Sequence, residues 1–185
     1  MAEGVALLVL DMQNDIMGFQ DKDALPAVVA TIGRLLSWAR SSRVPVIYSR
    51  VAFRPGYVDA LPQLPTVKTY GILDETKPGS DVIDELAPQE GDIVVVKRRV
   101  GAFYNTELEL VLRSLGIGTL LLAGVSTDRV VESTVRDASD RNFRNIVVSD
   151  GCTSSTDGRH KSALESIAGF FGEVMSADEA MTVLA

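Results

Sequence analysis

With 185 residues, 46% of them apolar, the chain is long enough for one full hydrophobic core and short for two, so residues 1–185 are expected to form a single domain. Its 25 acidic and 18 basic side chains give a formal charge of −7, which argues against a nucleic-acid partner, since such partners are held by clustered lysine and arginine. No window approaches the roughly 20 uninterrupted apolar residues of a membrane span, and the first apolar run starts too near Met1 for a cleavable signal to precede it; the expectation is no membrane partner and a cytoplasmic location.

In chain order, Val5 to Leu10 reads as a strand, Leu25 to Arg43 as an amphipathic helix and Val44 to Tyr48 as a second strand. The stretch from Ala52 to Glu90 holds most of the prolines and no long periodic run. It is expected to be a surface excursion with one short helix near Asp81 to Leu86, of the length often found in binding lids. Asp92 to Val96 is a third strand. A helix over Thr106 to Leu115 follows, with Leu108, Val111, Leu112 and Leu115 on one face and Gly116 placed as its C-cap glycine. Thr119 to Ala123 and Asn145 to Ser149 are further strands, and Thr127 to Arg141 and Gly158 to Phe170 are helices. Strands apolar throughout suit a sheet buried on both faces. Strand and helix in alternation imply right-handed βαβ units and an α/β, doubly wound, mostly parallel sheet whose ligands bind beyond the carboxyl ends of the strands. One cysteine, Cys152, and one histidine, His160, allow no internal disulfide and no zinc-type cluster, so neither a metal nor a cofactor is expected.

Three stretches could carry chemistry. Asp11 stands where the first buried strand runs out; a carboxylate there is partly desolvated and suited to proton transfer, or it caps the following turn. Lys97 stands in the same relation to the third strand, either at a site rim beside Asp11 or as a solvated strand-end lysine. The strand-to-helix turn from Ala123 to Thr134 offers unpaired backbone N–H groups for an oxyanion or an anionic substrate, with Thr127 or Asp128 as the helix cap. Cys152 reads as a small buried residue, and His160 as a solvent-facing residue near a helix start.

The order and wording of Asp11-Met12-Gln13-Asn14-Asp15, of Lys97 with Gly101-Ala102-Phe103, and of Gly124-Val125-Ser126-Thr127 with Thr134-Val135-Arg136-Asp137-Ala138 resemble the isochorismatase-like (cysteine hydrolase) family over nearly the whole chain. The resemblance implies a three-layer fold on a six-stranded, mostly parallel sheet and a cis peptide just after Val125. It also implies a small-molecule substrate and a homo-oligomer, dimer or tetramer. Asp11 and Lys97 become the catalytic pair, and Gln13, Arg50, Arg54, Arg99, Phe103, Val125 and Ser126 become substrate-binding candidates, the arginines, with Arg98, serving as cationic anchors.

The chain departs from the family at the nucleophile. Three residues after Thr127, where most members carry the attacking cysteine, stands Val130. The Asp-x-His metal site of nicotinamidases is also missing, since the segment after the second strand reads Ser49-Arg50-Val51-Ala52-Phe53-Arg54. Three readings follow. The first is a hydrolase of a small anionic or amide-like metabolite that uses Asp and Lys without a thiol, as true isochorismatases cleave a vinyl ether. The second is a cysteine amidohydrolase that has lost its nucleophile and survives as a pseudoenzyme or ligand-binding protein. The third is a purely structural or interaction protein in which Asp11 and Lys97 form an ion pair at the sheet rim. The first two place Asp11, Lys97 and Val130 around one pocket.

Overall fold

The computed structural model describes residues 4–184. In chain order the elements are β1 (Gly4–Leu10), α1 (Asn14–Met17), α2 (Leu25–Ser41), β2 (Val46–Val51), α3 (Pro65–Tyr70), β3 (Ile93–Lys97), α4 (Leu108–Ser114), β4 (Ile117–Val125), α5 (Glu132–Ser139), β5 (Arg144–Thr153), α6 (Asp157–Ser166), β6 (Glu173–Met175) and α7 (Ala177–Val183). The strands form one sheet in the order β3-β2-β1-β4-β5-β6, every neighbouring pair parallel. This is the α/β, three-layer, doubly wound arrangement that the strand and helix alternation implied.

Each strand divides its side chains between two cores because successive residues point to opposite faces. In β1, Ala6, Leu8 and Leu10 pack with Leu108 and Leu112 of α4 and Val135 and Ala138 of α5, while Leu7 and Val9 pack with Ile32 and Leu35 of α2 and Ala177 and Ala180 of α7. β3 departs from the all-buried expectation. It is an edge strand, and Val94 and Val96 are 36% and 37% exposed.

Element ends also moved. β2 begins two residues later than Val44 and runs on to Val51; β5 extends through Thr153. The helix expected over Thr127 to Arg141 opens with a π-helical turn over Thr127–Val131 before α5. Where a short helix near Asp81 to Leu86 was expected, the excursion forms a 3₁₀ turn at Asp84–Leu86, with others at Pro55–Tyr57 and Pro78–Ser80; its α-helix is α3, with Pro65 at its start and Gly71 at its end in the left-handed region. Gly116 is the left-handed terminator of α4, as its position in the sequence suggested.

Chain order reverses between β1 and β4, where doubly wound sheets open a crevice. There the two strands run so close that Gly124, at φ 135°, has no room for a side chain: a Cβ would fall on the carbonyl of Leu10. Gly124→Ala is therefore expected to destabilise by at least about 3 kcal/mol, a fall in Tm of roughly 10 °C. Gly33, inside α2 with open space around it, gives the opposite sign: Gly33→Ala is expected to stabilise by about 0.5–1 kcal/mol. Thermal melts of the two variants check both.

Candidate active site

At the end of β1 the backbone turns through a left-handed residue, Asp11 at φ 54°, a conformation that Asp tolerates better than most residues. Its side chain caps nothing. One carboxylate oxygen accepts from Ser49 Oγ at 3.0 Å and the other from Lys97 Nζ at 2.7 Å. The pairing follows from register: β2 lies between β1 and β3, with Leu10 opposite Ser49 and Val51 opposite Lys97, so both charges reach the same rim. Lys97 is 1% exposed and Asp11 5%, so Lys97 is no solvated strand-end residue. Burial pushes the Asp11 carboxyl above the ordinary carboxylate range, against the lowering effect of the Lys97 charge and the hydrogen bonds from Lys97 and Ser49. Lys97 also donates to the Arg99 carbonyl at 3.0 Å, which leaves one ammonium hydrogen for a ligand.

Asp11, Lys97 and Val130 line one cavity of ≈ 320 Å³, together with Arg99, Val125 and Ser126. The peptide between Val125 and Ser126 is cis. Beyond Ser126 the turn is more self-satisfied than an open helix start. Arg129 and Val131 N–H return to the Ser126 carbonyl, and Asp128 N–H donates to Ser154 Oγ. Neither Thr127 nor Asp128 caps the helix as expected: Thr127 Oγ1 lies 2.8 Å from His160 Nδ1, and Asp128 takes Ser154 Oγ and Arg159. His160 is therefore half-buried rather than solvent-facing, with its pKa lowered by that burial.

Four expected substrate-binding side chains do not line the cavity. Gln13 is fully buried and spends its amide on Val51 N and O and on Ser80 O. Arg50 holds Ser80 and Asp81, Arg54 is exposed and pairs with Asp59 at 2.8 Å, and Phe103 stacks on Phe143 in the core. Arg98 is likewise spent, on Asp59, Glu75 and the Ala52 carbonyl. A guanidinium with a carboxylate in reach pairs with it, so Arg50 and Arg98 fasten the excursion to the strand ends while Arg54 pairs within the excursion itself.

Other residues take those places. Arg129 lines the cavity, and among the described residues neither it nor Arg99 forms an ion pair with a carboxylate; Arg99 meets only the carbonyls of Asp59 and Arg98. Gln20, Phe19, Leu61, Leu64, Val67 and Leu73 complete a mostly apolar wall, with Asp15 holding Leu73 N at 2.7 Å. Arg129 stands beside Val130 in the turn already singled out, and Pro65 marked the helix that carries Val67; Gln20 had no signal in the sequence.

Residues 5–179 match the isochorismatase domain model. The chain belongs to the isochorismatase family. It is 35% identical to ureidoacrylate amidohydrolase RutB of Pseudomonas syringae pv. syringae strain B728a, over 96% of this chain and 82% of that protein. Among solved structures, an isochorismatase family protein of Desulfovibrio vulgaris superposes with a TM-score of 0.91 at 28% identity over 98% of each chain. N-carbamoylsarcosine amidase of Thermoplasma acidophilum superposes with a TM-score of 0.80 at 30% identity, over 95% of this chain and 97% of the other.

Cys152 offers no substitute thiol. It is buried under the sheet rim opposite Gly124, outside the cavity lining, and burial pushes its thiol up to about 12. The folded protein is expected to resist iodoacetamide at pH 8, with no mass increase over hours by intact-protein mass spectrometry and full labelling once denatured.

Proposed function

We propose that the protein is an isochorismatase-family hydrolase of a small anionic or amide-like metabolite, working without a thiol nucleophile. One observation carries the reading: a buried carboxyl of raised pKa, paired at 2.7 Å with Lys97, shares a cavity wall with Val130, at the position the family resemblance assigns to the nucleophile. Arg99 and Arg129 are the cationic anchors, and the apolar wall from α3 and Leu73 suits the body of the substrate.

Protonated Asp11 is the proton source. With an enol ether, it delivers a proton to the enol carbon; water captures the oxocarbenium ion and returns a proton to Asp11, and the hemiketal collapses to a carbonyl compound and an alcohol. With a carboxamide or ureido group, water adds to the carbonyl carbon, Asp11 hands its proton to the departing nitrogen and regains one from the water. In both, the remaining Lys97 hydrogen faces developing negative charge.

The specific observation behind a second reading is Val130 itself, 3% exposed and packed with Val131 and Val135, in a chain whose relatives include a ureidoacrylate amidohydrolase and an N-carbamoylsarcosine amidase. On that reading the protein is a cysteine amidohydrolase that has lost its nucleophile and at most binds a ligand. We infer a cytoplasmic homo-oligomer on either reading; no described helix is long and apolar enough to cross a membrane, and exposed Val58 and Tyr70 offer apolar surface to a second copy.

Asp11→Asn is expected to cut turnover of a vinyl-ether or ureido acid at least about 100-fold with the fold intact, since a carboxamide delivers no proton. Because the acid form works and its pKa is raised, kcat/KM should hold on the acidic side and fall as pH rises through that pKa; a loss on the acidic side instead would make Asp11 a base and refute the proton-donor role. Val130→Cys separates the two readings. If it switches on amidase activity in a chain otherwise inert toward vinyl ethers and amides, the thiol-free mechanism is wrong.

A further inference from the structure

The cavity wall contains a polar pair whose donor and acceptor roles are set by its neighbours. Gln20 and Ser126, 106 residues apart in sequence, are both buried and both line the cavity. The Gln20 amide nitrogen donates to the Ile16 carbonyl at 3.3 Å, which turns its oxygen toward Ser126. Ser126 Oγ then donates its one hydrogen to that oxygen, at 2.9 Å. A hydroxyl has a single hydrogen and two lone pairs. With the hydrogen committed to Gln20, Ser126 has only lone pairs left to offer.

From this we infer that Ser126 is a specificity-determining residue that selects ligands presenting a hydrogen-bond donor, a carboxamide or ureido N–H, over ester and ether analogues of the same shape. An N–H gives the Ser126 oxygen a partner. An ester or ether oxygen sets lone pair against lone pair in a wall that water reaches poorly, and both oxygens go unsatisfied. Gln20 is the positioning residue: it touches Ser126 and orients the hydroxyl. The inference rests on the reading of the cavity as a site for a small anionic or amide-like metabolite, and it chooses between the two bonds considered there in favour of the one that carries nitrogen.

The test uses binding, so it does not depend on turnover. Succinamate and monomethyl succinate share a carboxylate and a chain length and differ in ending as a primary amide or as a methyl ester. Calorimetric titration of the full-length protein is expected to give a Kd for succinamate about tenfold lower than for the ester. Ser126→Ala should erase the ratio by weakening succinamate. Gln20→Met should erase it from the other side, because the released hydroxyl can donate to the ester oxygen and ester binding should tighten. Equal affinities in the unmodified protein, or a ratio that survives Ser126→Ala, overturn the proposal; if Arg99→Ala still weakens both probes alike, the anion-binding reading stands without it. Failure of both probes to bind at millimolar concentration removes the reading of the cavity and this proposal together. Melting curves for each variant separate loss of fold from loss of selectivity.

Discussion

Two opposite charges are held out of water at the rim of the sheet, and the rest of the site is arranged around them. An ammonium and a carboxylate buried side by side each forfeit hydration, and their mutual attraction offsets that cost only when the geometry is good and the remaining polar atoms find partners. Here β2 fixes the spacing between β1 and β3, Ser49 donates to the second carboxylate oxygen, and the Arg99 carbonyl takes another ammonium hydrogen. The net effect of burial and pairing leaves Asp11 easier to protonate than an ordinary carboxylate, a property useful for a proton donor and of no benefit to a stabilising ion pair.

The cavity above this pair is the work of the long segment between β2 and β3. Without it the rim would be open to solvent; with it, Phe53, Leu61, Leu64, Val67 and Leu73 close an apolar wall. The segment is fastened through polar contacts at several points. Arg98 reaches Asp59 and Glu75, Arg50 reaches Ser80 and Asp81, Gln13 joins Val51 to Ser80, and Asp15 holds the Leu73 N–H. The motif residues between Asp11 and Asp15 thus divide the labour: Asp11 and Asp15 both line the cavity, and Gln13 and Asp15 also secure the segment that encloses it. Arg99 and Arg129, the cavity's two arginines, are the ones left without carboxylate partners among the described residues, which keeps positive charge available at the mouth.

Asp11, Lys97 and the Gly124 to Thr127 turn were legible in the sequence because each ends an apolar strand, and in a parallel sheet all strand ends of one polarity meet at one edge. Gly116 and the strand and helix alternation were legible for the same kind of reason, since they depend on contacts within a few residues. The arginines were harder. Their charge suggested ligand anchors, and only the folded chain shows that Arg50, Arg54 and Arg98 meet acids of the excursion first. The motif makes Phe103 a binding candidate, yet the chain turns it inward against Phe143.

The fold class, the family and the lack of a thiol at position 130 follow from the chain alone, because strand periodicity, motif order and residue identity are written in it. Which polar groups remain free once neighbours have been served is settled by folding. Gln20 follows the short helix α1 with nothing in its local sequence to mark it, and it reaches Ser126 because the backbone at Asp21 is tied to Ser154 at the end of β5. Hydrogen-bond capacity is used up by whatever lies within about 3 Å, and for a side chain at a sheet rim that neighbour comes from a distant part of the chain.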